Sequence, residues 1–210
     1  MIEEHQEKNE IQACTAFGVH ETVLKCISIN QGKILDAAAG HGALSCKLQK
    51  MGIQVYPLDI NPSQFQCKTV NCKSADLNNE IPFSANFFDG VISVETIEHL
   101  ENPWHFIREI KRVLKPQGFV IITTPNITSI FSRIYFLFRE KYILFTKKDL
   151  LNKHHITPIT RWILEGILES EGFEIQKICC SPGYIPYLDF YFKTNHLIFG
   201  HILVVVAKKP

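Results

Sequence analysis

The 210-residue sequence lacks several features that would commit it to a special environment. It has no apolar run near the roughly 18 residues a membrane span requires, so no transmembrane segment is expected. Its first ten residues, MIEEHQEKNE, are polar and acidic and contain no apolar leader, which points to a cytoplasmic location. Seven cysteines (Cys14, Cys26, Cys46, Cys67, Cys72, Cys179 and Cys180) form no C-x-x-C pair, which argues against a zinc cluster. They read as small, reduced, buried hydrophobes. A net charge of +1 supplies no basic field for DNA, leaving small or uncharged molecules as the expected partners. Internal repeats, linkers and low-complexity tracts are also missing.

What is present is an ordinary globular composition, 46% hydrophobic and 20% charged, in a length suited to one domain over 1–210. Residues 1–32 read as a helical segment closed by the turn NQG. Apolar strand runs then alternate with helical patterns. KILDA, IQVYPLD, TVNCKSAD, DGVISVE and GFVIITTP are strands; GALSCKLQKMG, a short NPSQFQCK and PWHFIREIKRVLK are helices. In the last of these, Trp104, Ile107, Ile110, Val113 and Leu114 recur at helical intervals. Beyond an aromatic-rich insertion at 126–156 come the helix TPITRWILEGILESEG, the strand FEIQKICC and a final strand within LIFGHILVVVAKKP. Alternation of this kind implies a doubly wound, Rossmann-like α/β sheet with helices on both faces. The last two strands are joined without a helical pattern. The seventh strand is therefore expected to return antiparallel near the edge.

Ligands of open α/β sheets sit beyond the C-terminal strand ends, where Asp36, Asp59, Asp76 and Glu95 fall. Each acid alone could cap the following helix, but all four share an edge with the loop ILDAAAGHGALS. A dinucleotide fingerprint would need a third glycine where Ser45 stands, and Asp36 would repel a pyrophosphate. S-adenosylmethionine, cationic and free of phosphate, suits the acids better. Asp59, 23 positions after Asp36, is then placed to accept from ribose hydroxyls.

ILDAAAGHGALS, VYPLDINP, KSADLNNEIPFSANFFDGVISVETIEHL and VLKPQGFVIITTPN resemble, in order and spacing, the motifs of class I S-adenosylmethionine-dependent methyltransferases. The resemblance implies that Asp36, Ala38, Gly40 and Gly42 border the methionine moiety. It likewise implies that Asp59 and Ile60 hold ribose and adenine, that Asp76 and Leu77 meet the adenine ring, and that Val94 lines the sulfur side. Ala38 replaces the commoner glycine. Alanine is tolerable there at negative φ, which is the expectation, and Ala38→Gly should leave cofactor binding nearly intact.

Glu95, Glu98 and His99 stand at i, i+3 and i+4, which predicts one face of a helix leaving the fourth strand. Two carboxylates and an imidazole could hold Mg²⁺ or Mn²⁺. The segment resembles that of ubiquinone-pathway O-methyltransferases and small-RNA 2′-O-methyltransferases, in which it is associated with a divalent cation completed by a later histidine. That resemblance points to His155 in KHHITPIT. Without metal, Glu95 and Glu98 would cap or pair locally, and His99 could accept the proton of an acceptor hydroxyl, so that His99 and Glu95 are the candidate catalytic residues.

The insertion interleaves Phe131, Tyr135, Phe136, Phe138, Tyr142 and Phe145 with Arg133, Arg139, Lys141, Lys147 and Lys148. It reads either as an amphipathic helix packed on the sheet edge or, over 127–148, as a lid or peripheral membrane contact. A weaker, fold-level likeness links it to methyltransferases of polysaccharide pathways. The leading expectation is an enzyme methylating an oxygen of a small molecule, glycan or quinone-like acceptor. The alternatives are a non-catalytic cofactor-binding regulatory or partner protein, an RNA 2′-O-methyltransferase opposed by the neutral charge, and a distant nicotinamide oxidoreductase. Oligomeric state is not legible.

Overall fold

The structure, a computed structural model, describes residues 11–185, 188–194 and 196–210. Seven strands form one sheet: β1 (Lys33–Ala37), β2 (Gln54–Asp59), β3 (Lys73–Ser74), β4 (Phe88–Ser93), β5 (Leu114–Pro125), β6 (Glu174–Cys180) and, last in the chain, β9 (Ile202–Lys208). Their spatial order is β3-β2-β1-β4-β5-β9-β6. The first five run parallel, and β9 lies antiparallel between β5 and β6. The doubly wound sheet with one reversed strand near the edge is thus the fold expected. The apolar runs in β4, β5 and β9 are covered on both faces, as strands in the middle of such a sheet require.

One face packs under α3 (Pro103–Val113) and α6 (Arg161–Ser170), where Phe106, Ile107, Ile110 and Val113 meet Leu164, Ile167 and Leu168. The other lies under α1 (Val19–Leu24) and α2 (Ala43–Lys50), around Val23, Leu48 and Ile121. Asn102 starts α3 by accepting the amide of His105 at 3.0 Å, with Pro103 fixing its first turn. Trp104, grouped with the buried stripe by its spacing, is 46% exposed because it precedes the face that turns inward.

Several local readings are corrected. The third strand is only two residues long, and Asp76 at the end of the predicted run accepts from the Asn78 amide in a turn. NPSQFQCK forms a 3₁₀ turn at Pro62–Gln64 instead of an α-helix. Of the N-terminal helical segment, α1 alone is helical within residues 11–32, and residues 1–10 lie outside the described residues. The cysteines are not all reduced. Cys46 of α2 and Cys67, 21 positions apart, form a disulfide because the chain after β2 folds back over α2 to a Cα separation of 5.8 Å. A hairpin of β7 (Gly183–Ile185) and β8 (Phe190–Phe192) occupies the aromatic connection before β9. Among the described residues, no helix is long and apolar enough to cross a membrane.

Candidate active site

The rim beyond β1 and β2 is organised by backbone. After Ala37 the chain turns through Ala38 at φ 66°, Gly40 at φ 53° and Gly42 at φ 85°. The expected negative φ of Ala38 is therefore wrong. The Ala39 amide donates to Leu58 O and the Gly42 amide to Ala39 O, both at 2.8 Å. Holding both bonds while reversing off a buried strand forces residue 38 into the left-handed region. A Cβ added at Gly40 would meet no atom within 4 Å, so the loop leaves open space on that side. At Gly42 a Cβ would strike the Phe65 ring, which closes the loop from below.

Asp36 is fully buried and accepts from Ser45 Oγ at 2.5 Å. Burial pushes its carboxyl up to about 6, the hydrogen bond from Ser45 opposing and the charge of Asp59 adding. Asp59 accepts from the Gly40 and Asn61 amides, each at 2.8 Å, and so ties the end of β2 to the glycine loop. Its two oxygens retain lone pairs for further donors. Ile60 is 72% exposed beside it. Asp76 is committed to a local turn, accepting from the amides of Asn78 and Asn79. Leu77 is buried in the α3-side core, and Val94 packs half-buried on the α1-side core.

The rim beyond β4 is assembled differently. Glu95 sits at φ 46°, and a single 3₁₀ turn, Ile97–His99, follows it. The expected α-helical face therefore does not form; the left-handed residue breaks the register between Glu95 and the pair Glu98–His99. Glu95 accepts from Thr15 Oγ1 and from the Ala16 amide, the latter at 3.1 Å. Ligand atoms of Glu98, His99 and His155 lie within 4.8 Å of one another. Glu95, the fourth residue of the proposed cation set, is not in that cluster.

Glu98 is completely buried. Its Oε2 accepts from Thr124 Oγ1 at 3.1 Å, and its Oε1 has no partner. Burial, reinforced by Glu95, drives its carboxyl up to about 8. Burial and the neighbouring His155 push the His99 imidazole down, so it is neutral near pH 7. The His155 Nδ1 lies 2.6 Å from Leu144 O, so it donates there and leaves Nε2 as the free ring nitrogen. Thr15, Ser45, Thr124 and Leu144 carry no sequence signal; Thr15 and Thr124 reach the site from 80 and 26 residues away.

Leu144 belongs to the insertion, which folds as α4 (Ile130–Arg139) and α5 (Lys147–Lys153). Packing on the sheet edge is not what α4 does. Ser132 is its one buried residue, while Leu137 and Phe138 are 74% and 75% exposed. A cavity of about 860 Å³ lies away from the insertion, beside α1, lined in part by Thr15, Ala16, Lys25 and Lys177.

Residues 35–122 match the profile of a family described as "Methyltransferase domain". The chain is 30% identical over 159 residues to the human mitochondrial ubiquinone biosynthesis O-methyltransferase, covering 70% of this chain and 42% of that protein. To the demethylmenaquinone methyltransferase of Tropheryma whipplei it is 29% identical over 105 residues, 47% of this chain and 44% of that one. It therefore spans less than half the length of either relative. A solved S-adenosylmethionine-dependent methyltransferase of Thermotoga maritima superposes with a TM-score of 0.71 at 18% identity, over 91% of this chain and 87% of its own. Residues 35–122 thus match a methyltransferase domain, and the sheet order and glycine loop make the chain similar to class I S-adenosylmethionine-dependent methyltransferases.

Proposed function

We propose that this chain is an O-methyltransferase acting on a hydroxyl of a small, quinone-like acceptor, with a divalent cation held by Glu98, His99 and His155. The observation that carries the cation is Glu98 Oε1, a fully buried carboxylate oxygen without a partner beside two imidazoles. Burial favours the neutral form of that acid, and a cation beside it is the counter-charge that would hold it ionised. The hydrogen bond between His155 Nδ1 and Leu144 O is the outer support that metal-binding histidines ordinarily have. Two imidazoles and one carboxylate suit Mn²⁺ or Zn²⁺ better than Mg²⁺.

S-adenosylmethionine supplies the methyl group, and a cation, when bound, lowers the pKa of an acceptor hydroxyl. The chain's own residues hold and align. Asp36 offers a buried acid to the cationic amino group, Asp59 offers lone pairs to the ribose, and Gly40 leaves room at the loop. Ile60, exposed next to Asp59, and the backbone around Asp76 and Leu77 serve the adenine, with Val94 toward the sulfur. Neutral His99 is the base for the hydroxyl proton where no cation is present. These elements belong to a single domain in which 126–156 is an insertion.

The names of the relatives support a quinone-like acceptor over a glycan. The exposed Leu137, Phe138, Leu150 and Leu151, among Arg133, Arg139, Lys141, Lys147 and Lys148, support an anionic lipid surface as the insertion's partner. Calorimetry with S-adenosylhomocysteine, with and without Mn²⁺, tests the reading, followed by methyl transfer to a catechol detected by mass. We expect binding without metal, and Mn²⁺ binding that Glu98→Gln abolishes. Failure to bind S-adenosylhomocysteine in any condition would remove the enzyme reading.

A further inference from the structure

Residues 14–16 bridge the two halves of the rim. Cys14 Sγ lies 3.2 Å from His41 Nδ1, inside the glycine loop. One and two residues on, Thr15 Oγ1 and the Ala16 amide both donate to one carboxylate oxygen, Glu95 Oε2. The chain between these contacts therefore spans from the loop after β1 to the end of β4.

Glu95 is held in an unusual state to receive them. Its backbone is left-handed at φ 46°, and its own amide donates to Thr123 Oγ1 of β5 at 2.9 Å. A non-glycine residue in that region persists where its surroundings over-determine it, and such positions concentrate at ligand clamps and switches. The carboxylate faces residues 15 and 16 and lies outside the Glu98–His99–His155 cluster. Thr15 and Ala16 also line the cavity beside α1, so the same short segment borders open space on its other side. It has somewhere to move.

We propose that residues 14–16 are a strap latched on Glu95, whose release controls entry and exit of the cofactor. Glu95 and Thr15 are positioning residues, not catalytic ones. The contacts at His41 and Glu95 keep the strap across the rim, and breaking the Glu95 end lets it swing toward the cavity. This inference rests on the reading that S-adenosylmethionine occupies the rim.

The test measures S-adenosylhomocysteine dissociation by stopped flow in the full chain. Thr15→Val removes the donated hydroxyl at nearly constant volume, and release is expected to quicken about tenfold, the usual effect of losing one hydrogen bond to a charged group. Thr15→Ser keeps the hydroxyl and should restore wild-type release, which a role in packing alone would not predict. Hydrogen exchange at the Ala16 amide in the ligand-free protein gives an independent readout. Protection is expected in wild type and Thr15→Ser, with at least several-fold faster exchange in Thr15→Val. Equal release from wild type and Thr15→Val overturns the latch while leaving the cofactor reading intact. Wild-type protein that binds no S-adenosylhomocysteine overturns the cofactor reading and the gating role with it, even if Ala16 is protected.

Discussion

Over β1 and β2, the rim carboxylates Asp36 and Asp59 are held by groups from within residues 36–61. Ser45 serves Asp36 from nine residues away, and Gly40 and Asn61 serve Asp59 from 19 and two. Over β4 the partners come from far off: Thr15 reaches Glu95 across 80 residues and Thr124 reaches Glu98 across 26. The first region is nearly self-sufficient. The second is left with a partnerless buried oxygen at Glu98 and, in the insertion that supports it, with exposed apolar side chains. Carboxylates held by local backbone are satisfied within the folded chain, whereas the rim gathered from distant elements keeps one buried carboxyl oxygen without a partner among the described residues.

The contrast can be broken at several points. The largest expected effect concerns Asp36. Its folded pKa of about 6 lies above its ordinary 3.8, so ionising it costs folded-state stability. Stability should fall by roughly 3 kcal/mol as pH rises from the ordinary carboxylate range to about 6, then level off. Chemical denaturation of Asp36→Asn across that range should lack this slope. If both proteins trace one curve, Asp36 is not the strained acid of the first region.

Asp59→Ala comes next. It removes the acceptor for the Gly40 amide and the proposed anchor for the ribose, and S-adenosylhomocysteine affinity by calorimetry should drop about a hundredfold. A loss under threefold would show that the loop holds its ligand by backbone alone. In the second region, changing Leu137 and Phe138 together to Ser should cut sedimentation with phosphatidylglycerol vesicles about tenfold or more, because two large apolar side chains leave the bilayer. Unchanged sedimentation would return the insertion to plain surface. Smallest of all is Ala38→Gly, which relieves a left-handed alanine and should stabilise the protein by about 1 kcal/mol in urea unfolding, with cofactor affinity unchanged. Destabilisation would mean that the alanine methyl packs usefully against the core.

The legible parts of the molecule were those where one residue's chemistry constrains its immediate neighbours. Pro103 and Asn102 start a helix wherever they stand before such a stripe, and acids at the ends of apolar runs fall on the ligand edge of a parallel sheet. The reading failed where long-range constraint overrode local preference. Ala38 adopts φ 66° because Leu58, on another strand, fixes the amide that follows it. The face predicted from Glu95, Glu98 and His99 is broken because Glu95 is held from Thr123 and Ala16. Cys46 and Cys67 are joined only after the chain following β2 folds over α2, which no spacing rule conveys.

Sequence alone determined the order of strands and helices, the reversed last strand, the loop and its acids, and hence the class of cofactor. Each of those follows from periodicity, turn chemistry and charge acting over a few residues. Tertiary structure decided which groups are held and which are left wanting: that Glu95 is latched by Thr15, that Glu98 is buried with one oxygen unpaired, and that the face of α4 points outward. Burial and distant pairing are properties of the packed chain, and they come into being only when the sheet closes.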